Sequence, residues 1–354
     1  MRPQQQDFPS SPSVLTVYHY DAAGQDREVE LTPELIESAD EKSLLWIDIV
    51  ARSENEIHRA GKILGLGAES LRELLDAEIP PGPHLDNYGN YFQFNLIASP
   101  GAAARDGDDV SPVDSEEENK PRKWERSRLD FVIGKRWLLT VHDEDLKFLR
   151  SFREQDKAET EIGGLSPQAL AASLLDWHLE TFFEEVARIE LHVDRLDERI
   201  LGEPPSGSLL GRMAAVRRRI SRLRRILVVQ RPVFYGLGRP DLTKVAEGEA
   251  ASHYEMLASR FERAVDEVER TRDLVVGSFE LFTSRTSQET NDLVRSLTFF
   301  TVIIGGVAAI AGLFGMNFDP PFFQTGSAGF FAVTGGLLLV ATVAWAWAKH
   351  KHWV

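Results

Sequence analysis

The chain has 354 residues, no cysteine and a formal net charge of −15. Its length suggests two or three structural units rather than one. Zero cysteines exclude disulfides and thiolate metal sites, so any metal chemistry must use oxygen or imidazole ligands. The acidic balance argues against a nucleic-acid partner. Part of the charge is local. Residues 101–120 carry seven acids against Arg105 and Lys120, in a Gly-, Pro- and Ser-rich run expected to be a disordered, solubilising loop.

The N-terminal MRPQQQDFPSSPS has no apolar core, so no cleavable signal peptide is expected and residues 1–290 are placed in the cytoplasm. Residues 1–165 alternate strand-like and helix-like runs and read as a cytoplasmic α/β domain. SVLTVYHY (13–20) and REVEL (27–31) predict a hairpin, and LLWIDIV (44–50) a strand. Ser53 is an N-cap candidate with Glu56 three residues on. NYFQFNLIAS (90–99) alternates, and RLDFVIG (128–134) pairs with RWLLTVH (136–142) across Gly134-Lys135. Residues 166–249 read as a helical hairpin. Ser166-Pro167 opens the first helix and Gly202, Pro204 and Pro205 stop it. A second helix over 208–235 carries Arg217, Arg218, Arg219, Arg222, Arg224 and Arg225, expected to pair with acids of the preceding helix. His178 and His192 are expected to face solvent or a helix partner.

From Ala250 to Gly315 there is no proline. Some 65 residues at 1.5 Å each make a rod of roughly 100 Å. Residues 250–296 form its stalk and 297–317 a first membrane span; 318–327 is an outer loop, 328–348 a second span and 349–354 a basic tail. Neither 297–315 nor 328–348 contains Asp, Glu, Lys, Arg or His. Each reaches the ~20 residues needed to cross the hydrocarbon. Arg285 and Arg295 precede the first span, Lys349 and Lys351 follow the second, and the loop has no basic residue. The positive-inside rule then puts both termini in the cytoplasm, in an inner-membrane protein that crosses the bilayer twice. So long a helix wants identical neighbours in a parallel bundle.

Asn291, Val294, Leu297, Thr301, Gly305, Ala308 and Gly312 share one helical face. Around an axis they would form a polar ring, an apolar constriction that gates by dewetting, and a stretch of small residues. Small residues in membrane helices equally mean close packing. The rod ends in Gly315-Met316-Asn317. A ring of amides at Asn317 offers neutral oxygens to the waters of a hydrated ion, which suits Mg2+ because it dehydrates reluctantly. An Asn here is also a common helix C-cap, and the two roles are compatible.

This chain resembles the CorA superfamily of divalent-cation transporters. The resemblance rests on the Gly-Met-Asn tripeptide ending the first of two C-terminal spans, on the α/β domain and long stalk helix, and on the closing Lys349-His350-Lys351-His352-Trp353-Val354. It implies a funnel-shaped homopentamer whose stalk helices line the pore, with Gly315, Met316 and Asn317 as selectivity filter. It further implies cytoplasmic divalent-ion sites between subunits that close the pore. Asn291 matches the family's low polar ring, and Val294 and Leu297 its hydrophobic gate. Departures are Gly305 where a bulky residue is usual, Met256 (beside Glu255) in place of a regulatory acid, and Asp319 as the sole acid of the outer loop. Glu78, Asp86, Asp48 and Glu255 are the carboxylates considered for ion sensing.

Three functions compete. The first is passive uptake of Mg2+, with Co2+ and Ni2+ tolerated, by a protein with no cofactor. The second is zinc carriage like the ZntB branch, with or without proton coupling; neither span offers a histidine, the natural Zn2+ ligand. The third is a non-conducting, membrane-anchored sensor. No phosphate-binding glycine loop, nucleophile elbow or catalytic metal-ligand spacing is found, so an enzyme is not expected.

Overall fold

The computed structural model describes residues 14–21, 26–39, 43–76, 83–99, 127–155, 161–239, 249–315 and 326–350. The acidic stretch 101–120 lies outside them. The chain forms two compact units, 1–196 with 207–277, and 197–206 with 278–354.

The first unit is built on a seven-stranded sheet. Its strands are β1 (Leu15–Asp21), β2 (Arg27–Glu28), β3 (Ser43–Val50), β4 (Leu85–Asn87), β5 (Phe92–Ile97), β6 (Arg128–Ile133) and β7 (Trp137–His142), in the order β2-β1-β3-β7-β6-β5-β4. All pairings are antiparallel except β3 with β7, where Leu45 stands opposite Trp137 and Val50 opposite His142. A parallel pair needs a long crossover. Here it contains α2 (Glu54–Leu64), α3 (Ala68–Leu75) and strands β4 to β6; the short α1 (Pro33–Ser38) precedes β3.

Both faces of the sheet are covered, which is why its central strands are apolar throughout. On one face Leu45, Ile47, Ile49, Leu139 and Val141 pack with Ile57, Ala60 and Leu74 of α2 and α3. On the other, Trp46 meets Phe152 of α4 (Lys147–Gln155), which meets Trp177 of α5 (Pro167–Gly202). Ser53 precedes α2 but makes no side-chain cap bond. The entry is shaped instead by Ala51 and Arg52, both left-handed with φ of 59° and 42°.

That turn sends Arg52 into a buried charge cluster. Its guanidinium donates to Asp143 at 2.6 Å and Asp130 at 2.8 Å, while Arg128 grips the other oxygen of Asp130 at 2.6 Å. A second cluster surrounds Asp48, bonded by Thr140, by His142 at 3.1 Å and by Arg153 at 2.9 Å. Burial alone would raise the Asp48 carboxyl, but His142 and Arg153 hold it below the usual range. Asp48 is therefore enclosed and paired.

Helical packing completes the unit. Ser166 caps α5 by accepting from the Ala169 amide at 3.1 Å. α5 presents Leu179, Phe182, Val186, Ile189 and Val193 to α6 (Gly207–Val228) and to the start of α8 (Glu249–Phe314), whose Leu257, Phe261, Ala264 and Val268 are buried. The expected helix 208–235 is broken. α6 ends at Val228 and α7 (Arg231–Gly236) starts again with Pro232 in its first turn, because proline has no N–H to continue the ladder. Arg219 pairs with Glu185 of α5 at 2.6 Å, whereas Arg224 pairs with Glu269 of α8. His178 is buried against Gln230 at the α6–α7 break.

Two outcomes follow. Arg128→Met leaves Asp130 half-paired in the core and should cost about 3–5 kcal/mol, read as a lowered thermal midpoint of the purified protein. Burial pushes His178 down to about 4, with the Gln230 bond opposing it. The unfolded chain takes up a proton there below pH ~6.5 and the folded one does not, so stability is lost as pH falls from ~6.5 towards 4. Full expression of that loss is on the order of 3 kcal/mol. His178→Phe should flatten the slope in a midpoint-versus-pH series, at some cost near neutrality from the released Gln230.

Candidate functional site

α8 runs for 66 residues and carries the first apolar segment; α9 (Gly326–His350) carries the second. Both are long and apolar enough to cross a membrane. Within lipid every backbone polar group must be bonded inside the chain, and an unbroken helix meets that requirement. Threonine hydroxyls follow the same rule: Thr298 donates to Val294 O at 2.7 Å, Thr301 to Leu297 O at 2.8 Å and Thr342 to Leu338 O at 2.7 Å. The hydroxyl proton of Thr301 is thus engaged, and its oxygen lone pairs remain as acceptors.

All seven residues of the expected pore stripe are exposed in the single chain: Asn291, Val294 at 55 %, Leu297 at 68 %, Thr301, Gly305, Ala308 and Gly312. The less exposed residues Ser296, Phe299, Ile303 and Val307 form a separate row. At 100° per residue the two rows lie on roughly opposite faces of the helix. α9 carries a comparable row in Gly329, Val333, Leu337, Ala341, Ala344 and Ala348. A methyl group added at Gly305 or Gly312 would meet nothing within 4 Å. Nothing within one chain therefore requires glycine there, and the free space suits a neighbouring helix or a lumen equally.

At the end of α8 the Gly315 amide donates to Ala311 O at 3.0 Å and Gly312 O at 3.2 Å. Met316, Asn317 and Asp319 fall outside the described residues, as does Glu78. At the other end of the hairpin Lys349 lies over the Trp345 ring at 5.2 Å, a pairing suited to a membrane interface.

The remaining expected metal residues lie in the first unit. Glu255 is exposed on α8, one position before the exposed Met256. Asp86 sits on the edge strand β4, its Oδ2 3.3 Å from His84 Nε2, with Glu73 Oε2 3.2 Å from that nitrogen. Burial first, and then the charges of Glu73, Asp86 and Glu69, push the neighbouring Tyr88 phenol up to about 12. Sequence reasoning singled out Asp86 but missed Glu73 and His84. His84-x-Asp86 on a strand was the available signal, since alternate residues share a face.

A mixed α/β unit whose last helix continues into a two-helix apolar hairpin defines a membrane protein with a large water-soluble part. The model of the CorA-like Mg2+ transporter protein family matches residues 41–350, and the chain belongs to that family. The chain is 25% identical over 231 residues to YfjQ of Bacillus subtilis, provisionally named a metal ion transporter; the match spans 65% of this chain and 71% of that one. It is 27% identical to the cobalt/magnesium transport protein CorA of Thermotoga maritima over 52% of each chain. It is 26% identical to the zinc transport protein ZntB of Pectobacterium carotovorum over 52% of this chain and 55% of that one. Among solved structures, the complete CorA magnesium transporter of Methanocaldococcus jannaschii superposes with a TM-score of 0.72 at 16% identity, covering 97% of this chain and all of that one. Full-length CmaX superposes with a TM-score of 0.67 at 18% identity, covering 95% and 99%. Both likenesses concern the fold. The family consists of transporters of metal ions across membranes.

Proposed function

We propose that copies of this chain form a pore that admits Mg2+, with Co2+ and Ni2+ tolerated, through a collar of Asn317 side chains. One observation carries the reading: the seven stripe residues share one face of an unbroken helix, opposite its less exposed row, and the chain continues from that helix into Gly315-Met316-Asn317. Five copies in a funnel-shaped homopentamer would turn that face towards the axis, Val294 and Leu297 closing it by dewetting. Thr301 would present acceptor lone pairs to the waters of a passing ion, which act as donors. Both termini belong on the cytoplasmic side of the inner membrane, on the strength of Arg285, Arg295, Lys349 and Lys351. The membrane potential then drives entry at about 2.3 kcal/mol per charge per 100 mV. Glu78, Asp86 and Glu255 are proposed for sensing of internal ions.

Zinc carriage is the second reading, favoured by the ZntB relative. Against it, neither apolar segment holds a histidine. Flux of Mg2+, Co2+ and Zn2+ into liposomes, with and without a proton gradient, separates the two: gradient-independent Mg2+ entry supports the first, proton-dependent Zn2+ entry the second.

Asn317→Ala should abolish Mg2+ uptake in proteoliposomes while oligomer size is kept. Uptake equal to wild type in that variant removes the filter, and loss of all flux in the wild type leaves a non-conducting anchor. Thr301→Val keeps the shape but removes the outward lone pairs. It should leave assembly unchanged and lower Mg2+ flux several-fold, about 1 kcal/mol in the barrier.

A further inference from the structure

At the edge of the sheet, three side chains from two elements converge. His84, just before β4, and Asp86 within it stand two residues apart on an extended backbone and so share a side. Glu73 reaches them from the last turn of α3. His84 Nε2 lies 3.2 Å from Glu73 Oε2 and 3.3 Å from Asp86 Oδ2, and one ligand atom of each residue falls within 4.8 Å of the others. Three ligands held at about 2.0–2.2 Å by one tetrahedral cation stand about 3.3–3.6 Å apart. Two edges of that triangle are nearly at this spacing, and the third lies within 4.8 Å.

Buried amides hold two of the three, Glu73 and His84. Across the strand pair Gln93 stands opposite Asp86, and the Asn95 amide donates to the His84 carbonyl at 3.3 Å. Gln93 Nε2 donates to Glu73 at 3.2 Å, Ser70 of α3 donates to the Gln93 carbonyl oxygen, and Asn95 Nδ2 lies 3.0 Å from His84 Nδ1. Ser70, Gln93 and Asn95 are all buried. On β5 the two amides alternate with Phe92 and Phe94, so one side of the strand is aromatic and the other polar. Polar groups buried at such positions are costly unless bonded. Here their bonds orient Glu73 and His84, as outer partners orient metal ligands. Asn95 Nδ2 donates to His84 Nδ1, so the ring proton lies on Nε2 between the two carboxylates, and a bound cation would take that proton's place.

The contrast with Asp48 and His142 is instructive. That pair is fully enclosed and closed off by Arg153. Glu73, His84 and Asp86 are 26%, 29% and 47% exposed, and among the described residues no Arg or Lys bonds any of them. Solvent reaches the cluster, leaving positions for water on a bound ion.

We propose that Glu73, His84 and Asp86 form, within one chain, a binding site for a divalent cation of the Zn2+, Co2+ or Ni2+ class. One imidazole and two carboxylates suit those ions, whereas Mg2+ prefers all-oxygen surroundings and retains its water. The site is independent of the pore reading, because binding reports it and flux does not.

Equilibrium dialysis of the purified full-length protein, in the Asn317→Ala background so that the outer collar adds no binding, tests the proposal with Zn2+, Ni2+ and Mg2+. Bound Zn2+ should include one equivalent per chain that resists displacement by equimolar Mg2+. His84→Ala and Glu73→Gln should each weaken that equivalent by about tenfold or more. Zn2+ should also raise the thermal midpoint of the parent and not of the His84→Ala protein. If His84→Ala lowers the metal-free midpoint, Asp86→Asn, at the most exposed position, carries the same comparison. Unchanged Zn2+ binding in the variants, or displacement by equimolar Mg2+, shows a surface ion pair only and overturns the proposal.

Discussion

Backbone hydrogen bonding along one helix is the constraint on which everything else depends. α8 joins a charged, water-facing stretch to an apolar one without a break over 66 residues. In hydrocarbon an unpaired peptide group costs several kcal/mol, so the apolar part has no acceptable alternative to helix. In water the same backbone has alternatives, and side-chain packing removes them: Leu257, Phe261, Ala264 and Val268 are buried in the first unit, and Thr271 bonds Glu190 of α5. Helix is imposed by the solvent at one end and by neighbours at the other.

Charge is handled in three ways in this molecule. Asp130 and Asp48 are buried and surrounded by arginine, histidine and hydroxyl donors, so their charges are fully compensated. Surface pairs such as Arg199 with Glu203 are exposed and contribute little. The Glu73–His84–Asp86 cluster belongs to neither class. It brings two acids to one imidazole, with no guanidinium among the described residues to balance them. Both carboxylates face His84 Nε2, the position proposed above for a cation.

Sequence reading located the elements that have strong periodicity. Strands β3, β6 and β7 and the long helix from about residue 250 all appear close to their expected bounds. It failed where a local rule met a tertiary one. The second helix stops at Val228 because Pro232 interrupts its ladder, although the apolar pattern runs on through Val233 and Phe234. Ser53 has the residue type of a cap, yet the turn at Ala51-Arg52 is set by the arginine's reach into the core. Asp48 was weighed for ion sensing and is instead enclosed in the sheet.

Residue order alone determined the two apolar segments, their flanking charges and the shared face of the seven stripe residues. Each depends only on neighbours along the chain and on the 3.6-residue repeat. Tertiary structure alone decided which carboxylates are enclosed and which remain open. Glu73 lies 11 positions from His84 and Arg52 lies 78 from Asp130. Charge and burial at such sites depend on the order in which strands assemble, and no local spacing records that order.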